Sequence, residues 1–250
     1  MSIDVLDLRS FYTTPLGAVA QRVIGASISQ RWPSCVGLSV LGVGYATPYL
    51  DTLRKDTVRT LAFMPAEQGV VNWPATGLSA SALVDVTALP LPDSCMDRVL
   101  VVHALEMADQ PYDFLSEVWR VLAPGGRMIL VAPNRAGVWA RVDSTPFGHG
   151  QPYSGSQLRS LLRDALFSPV YWGDALYAPP FTRPYLLRAA PMLEAVGAKL
   201  SLPVAGVHII EATKQLYRPA LTRRSARRRA VEFQPAMAGG GLAGRNVSRA

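Results

Sequence analysis

Three groups of residues in this 250-residue chain have types and spacings that could do chemistry. The first lies in LSVLGVGYATPYLD, residues 38 to 51, where an apolar run breaks into Gly42 and Gly44 and then into Tyr45, Ala46, Thr47 and Pro48. Glycine lets main chain approach a ligand with no side chain in the way, so the stretch looks like a nucleotide-cofactor loop with half its glycine replaced. The second group is acidic: Asp85 closes the apolar run SALVD, and Glu67 is the nearest acid after the run TVRTLAF. The third is His103 and His149, whose rings can hold or move a proton near neutral pH.

Each of these has a plainer reading beside the chemical one. Asp85 could cap a strand end, with Val86 next to it as ordinary packing. His103, at the end of the apolar run DRVLVVHA, could orient a ligand, act as a base, or only hydrogen-bond locally. His149, in FGHGQPYS, together with Tyr153 and Trp139, falls in a segment that could meet a substrate, although large aromatic side chains are more often core. Cys35 and Cys95, the only two cysteines, have no metal-like spacing and read as idle thiols of a reducing compartment.

The elements that must position these residues follow a β-α rhythm. Leu38 to Val43 reads as a first strand, followed by a helix over Tyr49–Lys55 with Thr47 as N-cap and Pro48 at its first position. TVRTLAF and SALVD read as the second and third strands, and the β-branched run DRVLVVHA as a central strand buried on both faces. The helix QPYDFLSEVWRVLAPGG carries Phe114, Leu115, Val118, Trp119 and Leu122 on one face before a Pro-Gly-Gly stop, and RMILVAPN is a fifth strand. Residues 64 to 80 hold Pro65, Gly69, Pro74 and Gly77, which predicts a loop with at most two turns of helix. The long segment after the fifth strand reads as a lid, and VAGVHIIEATKQLY as a last strand pairing antiparallel near 167 to 176.

The expected architecture is α/β: a Rossmann-like, mostly parallel sheet with helices on both faces and an antiparallel C-terminal edge strand. A helical cap is expected over 1–35, the main domain over 36–213 with its lid near 134–185, and a basic tail over 214–250. Charge supports that division. Residues 1 to 211 hold 16 Lys/Arg against 17 Asp/Glu, whereas 212 to 250 hold 9 Lys/Arg against Glu232 alone. The tail composition is that of a solvated, disordered segment, able to touch an anionic surface weakly. No aromatic residues alternate with its arginines, so no specific nucleic acid is expected. The start of the chain lacks the pattern of a secretory signal, and a cytoplasmic location is expected.

With these residues in place, the sequence resembles the class I S-adenosylmethionine-dependent methyltransferases, in particular the small type 11 group. The resemblance covers about residues 36 to 170. It is carried by DVTALPLPDSCMDRVLVVHALEMADQPYDFLSEVWRVLAPGGRMILVAPN, with an acid, a Leu-Pro pair, Asp before a buried strand, a Leu-Glu element and an Arg-Val-Leu-x-Pro-Gly-Gly turn in the family's order. It implies S-adenosyl-L-methionine as cofactor, held by Gly42, Gly44, Tyr45, Ala46, Asp85, Val86 and His103. His103 and His149 are then candidate catalytic groups, and Tyr153 and Trp139 candidate contacts to a small or lipid-like acceptor.

The chain departs from the family at three places, one of them Met107, which stands where the Leu-Glu element around Glu106 carries His in the family. Gly42 stands where the first strand carries an acid, and only Gly44 remains of the three loop glycines. No acid ends the second strand to meet the ribose, Glu67 being the nearest. Losing such a contact costs about 1.5–3 kcal/mol, or roughly tenfold to a hundredfold in affinity. The sulfonium is already an activated leaving group, so alignment and exclusion of water suffice, with a base only where the acceptor loses a proton. A dinucleotide enzyme is the weaker reading, since Thr47 takes the third fingerprint position, and no G-x-S-x-G elbow supports a hydrolase. The remaining alternative is a methyltransferase fold that serves as a binding or scaffold protein.

Overall fold

The computed structural model describes residues 3–181, 183, 187–200 and 204–216, which fall in one compact unit. The basic tail expected from residue 214 lies, beyond 216, outside the described residues. Helix α1 (Val5–Thr13) begins where the Asp4 carboxylate accepts from Leu6 N, and α2 (Pro15–Arg31) where Thr14 Oγ1 accepts from Gly17 N with Pro15 in the first turn. Then come β1 (Ser39–Gly44), α3 (Thr47–Leu53), β2 (Arg59–Pro65), β3 (Ser81–Val84), β4 (Met96–Val102), α4 (Pro111–Val121), β5 (Leu122–Pro133), α5 (Gly155–Asp164), β6 (Phe167–Ala175), α6 (Ala190–Leu200) and β7 (Val207–Lys214).

The strands form one sheet of order β3-β2-β1-β4-β5-β7-β6, parallel from β3 to β5, with β7 antiparallel to both β5 and β6. The last strand in sequence is therefore interior, and the antiparallel edge is β6. Chain order reverses at β1, so the crevice beyond the C-terminal ends of β1, β2 and β4 is where open α/β sheets place ligands. One buried layer joins α1, α2 and α3 to one face of the sheet, and a second joins α4 and α5 to the other.

The segments that carry the family resemblance have structural duties. Arg120 of α4 donates to Leu89 O and Leu91 O at 2.9 and 2.8 Å, and to Asp93 and Glu117. It thereby pins the Leu-Pro loop that leads into β4. Glu211 of β7, fully buried, accepts from Arg31, Arg127 and Trp32 and so ties α2 to the sheet.

Two local expectations need correction. Thr47 lies inside α3 rather than capping it; Ala46 occupies the cap position and makes no side-chain cap bond. The second strand starts two residues later than TVRTLAF suggests, because β2 pairs with β1 from Ser39 opposite Arg59. Residues 64 to 80 contain no described helix beyond turns. No helix among the described residues is long and apolar enough to cross a membrane.

Candidate functional site

A cleft of about 600 Å³ opens beyond the ends of β2, β3 and β4, walled by the Leu105–Gln110 segment and by Gly150 and Gln151 of the expected lid. Its ionisable lining among the described residues is acidic: Glu67, Asp85, Glu106 and Asp109 contribute, and no described Lys, Arg or His does. Such walls favour a cationic ligand and repel a pyrophosphate. Asp85 follows β3 directly and is exposed at the cleft, where its Oδ1 accepts from Thr87 N at 2.8 Å and Thr87 Oγ1 at 2.6 Å. These two bonds, the hydroxyl's foremost, hold its carboxyl below the usual carboxylate range.

Behind the wall lies a buried polar chain. Tyr49 Oη is 3.0 Å from Tyr12 Oη, Tyr12 Oη is 2.8 Å from His103 Nε2, and His103 Nδ1 is 3.3 Å from Glu106 Oε1. With the ring neutral, Nδ1–H donates to Glu106 and Nε2 accepts from Tyr12, which accepts in turn from Tyr49. His103 has a φ of +52°, the left-handed region that side chains other than Gly and Asn seldom enter. Its carbonyl accepts from Gln68 Nε2 at 2.9 Å, and its ring packs on Phe147 with centroids 4.8 Å apart. Burial, with Tyr49 alongside, pushes the Tyr12 phenol well up, and burial also raises Tyr49 and Tyr45. Two buried oxygens among the cleft-lining residues have no hydrogen-bond partner, Gln68 Oε1 and Glu106 Oε2.

The glycines of the first loop serve packing. A β-carbon on Gly42 would lie 2.7 Å from Leu50 Cδ1 and 2.8 Å from Ala46 Cβ, so the space an acid would need is filled. Gly44, at a φ of +82°, faces Val102 O and Ala104, letting the loop close on β4. Tyr45 is buried and stacked on Tyr12, with centroids 5.6 Å apart. Gly42, Gly44, Tyr45 and Ala46, expected to offer main chain to a ligand, do not line this cleft, and the Tyr12 ring of α1 packs over Tyr45.

Of the other sequence candidates, Asp85 and Val86 line the cleft, whereas His103 is 1% exposed and stands behind it. His149 belongs to a separate groove with Asp7, Ser10 and Asp143, and its Nε2 lies 2.8 Å from Asp143 O. Trp139 is core, donating Nε1–H to Ala178 O at 2.8 Å, and Tyr153 is buried with its hydroxyl donating to Leu105 O at 3.3 Å. Gln68, missed in sequence, has no signal beyond the turn that follows β2. Glu106 was marked only by its Leu-Glu setting.

Strand order and cleft define the class I methyltransferase fold. Residues 24–130 match the model of a methyltransferase domain, the type 11 group. It is 29% identical over 140 residues to a protein of Mycolicibacterium smegmatis named as a probable S-adenosylmethionine-dependent methyltransferase, covering 53% of each chain. It is 28% identical over 181 residues to the demethylmenaquinone methyltransferase of Thermus thermophilus, covering 69% of this chain and 71% of that one. A SAM-dependent methyltransferase from Archaeoglobus fulgidus shares the fold with a TM-score of 0.55 and 17% identity, over 78% of this chain and 94% of that one. The chain spans about half the length of the first curated relatives it matches.

Proposed function

We propose that the chain is an S-adenosylmethionine-dependent methyltransferase of the cytoplasm that acts on a small or lipid-like acceptor. The observation that carries this is the acidic cleft at the ends of β2, β3 and β4, with no lining cation among the described residues. S-adenosylmethionine, the cofactor of this class, carries a positive sulfonium and supplies the methyl group on an activated leaving group. The residues present fit it: its donors match the two buried acceptors without partners, Gln68 Oε1 and Glu106 Oε2, and the cleft volume lies within the usual range for cofactor sites.

Asp85 and Val86 would hold the adenine end, as the family resemblance implies. Gly150 and Gln151 wall the cleft on the lid side, Gln151 N donating to Glu106 O at 2.7 Å, and would shield a bound cofactor from water. The acceptor's nucleophile takes the methyl in line, and the chain's part is alignment, with a proton acceptor only where the nucleophile bears a proton. The lipid-like option is supported by the Thermus relative, whose name identifies a menaquinone precursor. It is not supported by Trp139 and Phe147, which are core rather than pocket.

A second reading, a binding or scaffold protein with weak or no turnover, is favoured by the stack of Tyr12 on Tyr45 over the first loop. Incubation with methyl-labelled S-adenosylmethionine and metabolite extracts separates the two. Label in a small molecule or lipid, dependent on the protein, supports the enzyme; cofactor binding without any label transfer supports the scaffold.

A further inference from the structure

Glu106 differs from the other acids of the cleft: its side chain is 1% exposed, whereas Glu67, Asp85 and Asp109 are exposed. Its Oε1 meets His103 Nδ1, while Oε2 is buried with no hydrogen-bond partner. Leaving a buried acceptor unpaired is costly, more so when it is charged, so a donor or cation arriving from the cleft relieves a defect of the free protein. Several contacts fix the carboxyl where it is. Tyr12 holds the far side of the His103 ring, Gln68 holds the His103 carbonyl, and the lid grips the Glu106 carbonyl through Gln151 N. Gly150, at a φ of +72°, comes so close to that same carbonyl that a β-carbon would collide with it.

We propose that Glu106 reads the positive charge of the ligand in this cleft, taking over from the acid that β1 lacks at Gly42. The proposal rests on reading the cleft as an S-adenosylmethionine site. At Gly42 the side-chain space is filled by Leu50 and Ala46, so β1 has no room for a counter-charge. The neighbouring strand does: β4 pairs with β1 through Gly44 opposite Val102, and Glu106 sits in the turn that follows. Away from water, a carboxylate acts on a cation more strongly than the solvated acids at the cleft mouth.

Calorimetric titration of the full chain and of Glu106→Gln with three probes tests this. S-adenosylmethionine carries sulfonium and ammonium, S-adenosylhomocysteine carries ammonium only, and 5′-methylthioadenosine carries neither. Glu106→Gln keeps an acceptor for His103 and nearly the same volume. It is expected to weaken S-adenosylmethionine at least tenfold relative to methylthioadenosine. A parallel loss for S-adenosylhomocysteine supports the proposal with ammonium as the contact, and an unchanged affinity supports it with sulfonium. Asp164→Asn, at an exposed acid of α5 outside the cleft, is expected to shift the ratio less than twofold. If Glu106→Gln does not fold, Glu106→Asp, which withdraws the charge by one methylene, must show a loss in the same direction. A ratio unchanged in the folded Glu106 variant, or moved equally by Asp164→Asn, overturns the proposal while the cleft reading stands. Wild-type protein that binds none of the probes overturns both.

Discussion

Tyr12 Oη lies 2.8 Å from His103 Nε2, and this one bond fastens the first helix to the end of the fourth strand. Both groups are buried, so neither can exchange its partner for water. Tyr12→Phe leaves His103 Nε2 and Tyr49 Oη without their partner, and is expected to cost about 1–3 kcal/mol. Tyr49→Phe leaves the Tyr12–His103 bond intact and should cost less. Thermal unfolding of both variants gives the order; at this chain size each kcal/mol lowers the melting temperature by roughly 2–4 °C.

The same tyrosines set a limit at high pH. Burial, then Tyr49, raises the Tyr12 phenol, and burial raises Tyr49 and Tyr45 above the ordinary value of about 10. A folded value above the unfolded one gives stability that is fully present below the unfolded pKa and is lost as pH rises beyond it. Stability should therefore be flat to about pH 10 and fall above it. Phenolate absorbance should rise together with loss of helical signal, and less steeply in Tyr12→Phe.

Glu211 gives the corresponding acid limit. Burial pushes its carboxyl up, but hydrogen bonds from Arg31, Arg127 and Trp32 outweigh that and hold it below the usual range. Its contribution is present above the ordinary carboxylate pKa and is lost as pH falls through the lowered one. Glu211→Ala leaves two arginines facing a hole and is expected to cost about 3–5 kcal/mol. Acid unfolding should begin at a higher pH in that variant than in the wild type.

How much of this was legible in sequence depends on what each residue answers to. The central strand was legible because the apolar run DRVLVVHA is dictated by burial on both faces, whereas the starts of β2 at Arg59 and of β5 at Leu122 answer to pairing with neighbours that the sequence does not mark. Asp85 and Val86 fall at the cleft because a strand end fixes where they go. A loop motif such as Gly42, Gly44 and Tyr45 does not show what packs on it, and here α1, from more than thirty residues away, brings Tyr12 onto Tyr45. For His103 the sequence left ligand, base and local hydrogen bonding open, and the structure gives its ring Tyr12 and Glu106 as partners. Gln68 and Glu106 matter through atoms left unpaired, which a sequence does not record.

Asp85→Ala removes an exposed side chain whose bonds are confined to Thr87, so the melting temperature should stay close to that of the wild type. Its affinity for S-adenosylmethionine should fall about tenfold, as for one lost charge-assisted hydrogen bond. An unchanged affinity in calorimetry would remove Asp85 from the site.

The most direct measurement is calorimetric titration of the wild-type chain with S-adenosylmethionine at low and moderate salt. An acidic cleft that accepts this cation gives a saturable, one-site heat below millimolar ligand, weakening as salt rises. No heat up to millimolar ligand at either salt would contradict it, and the rings over the first loop would then mark a methyltransferase fold closed to its cofactor.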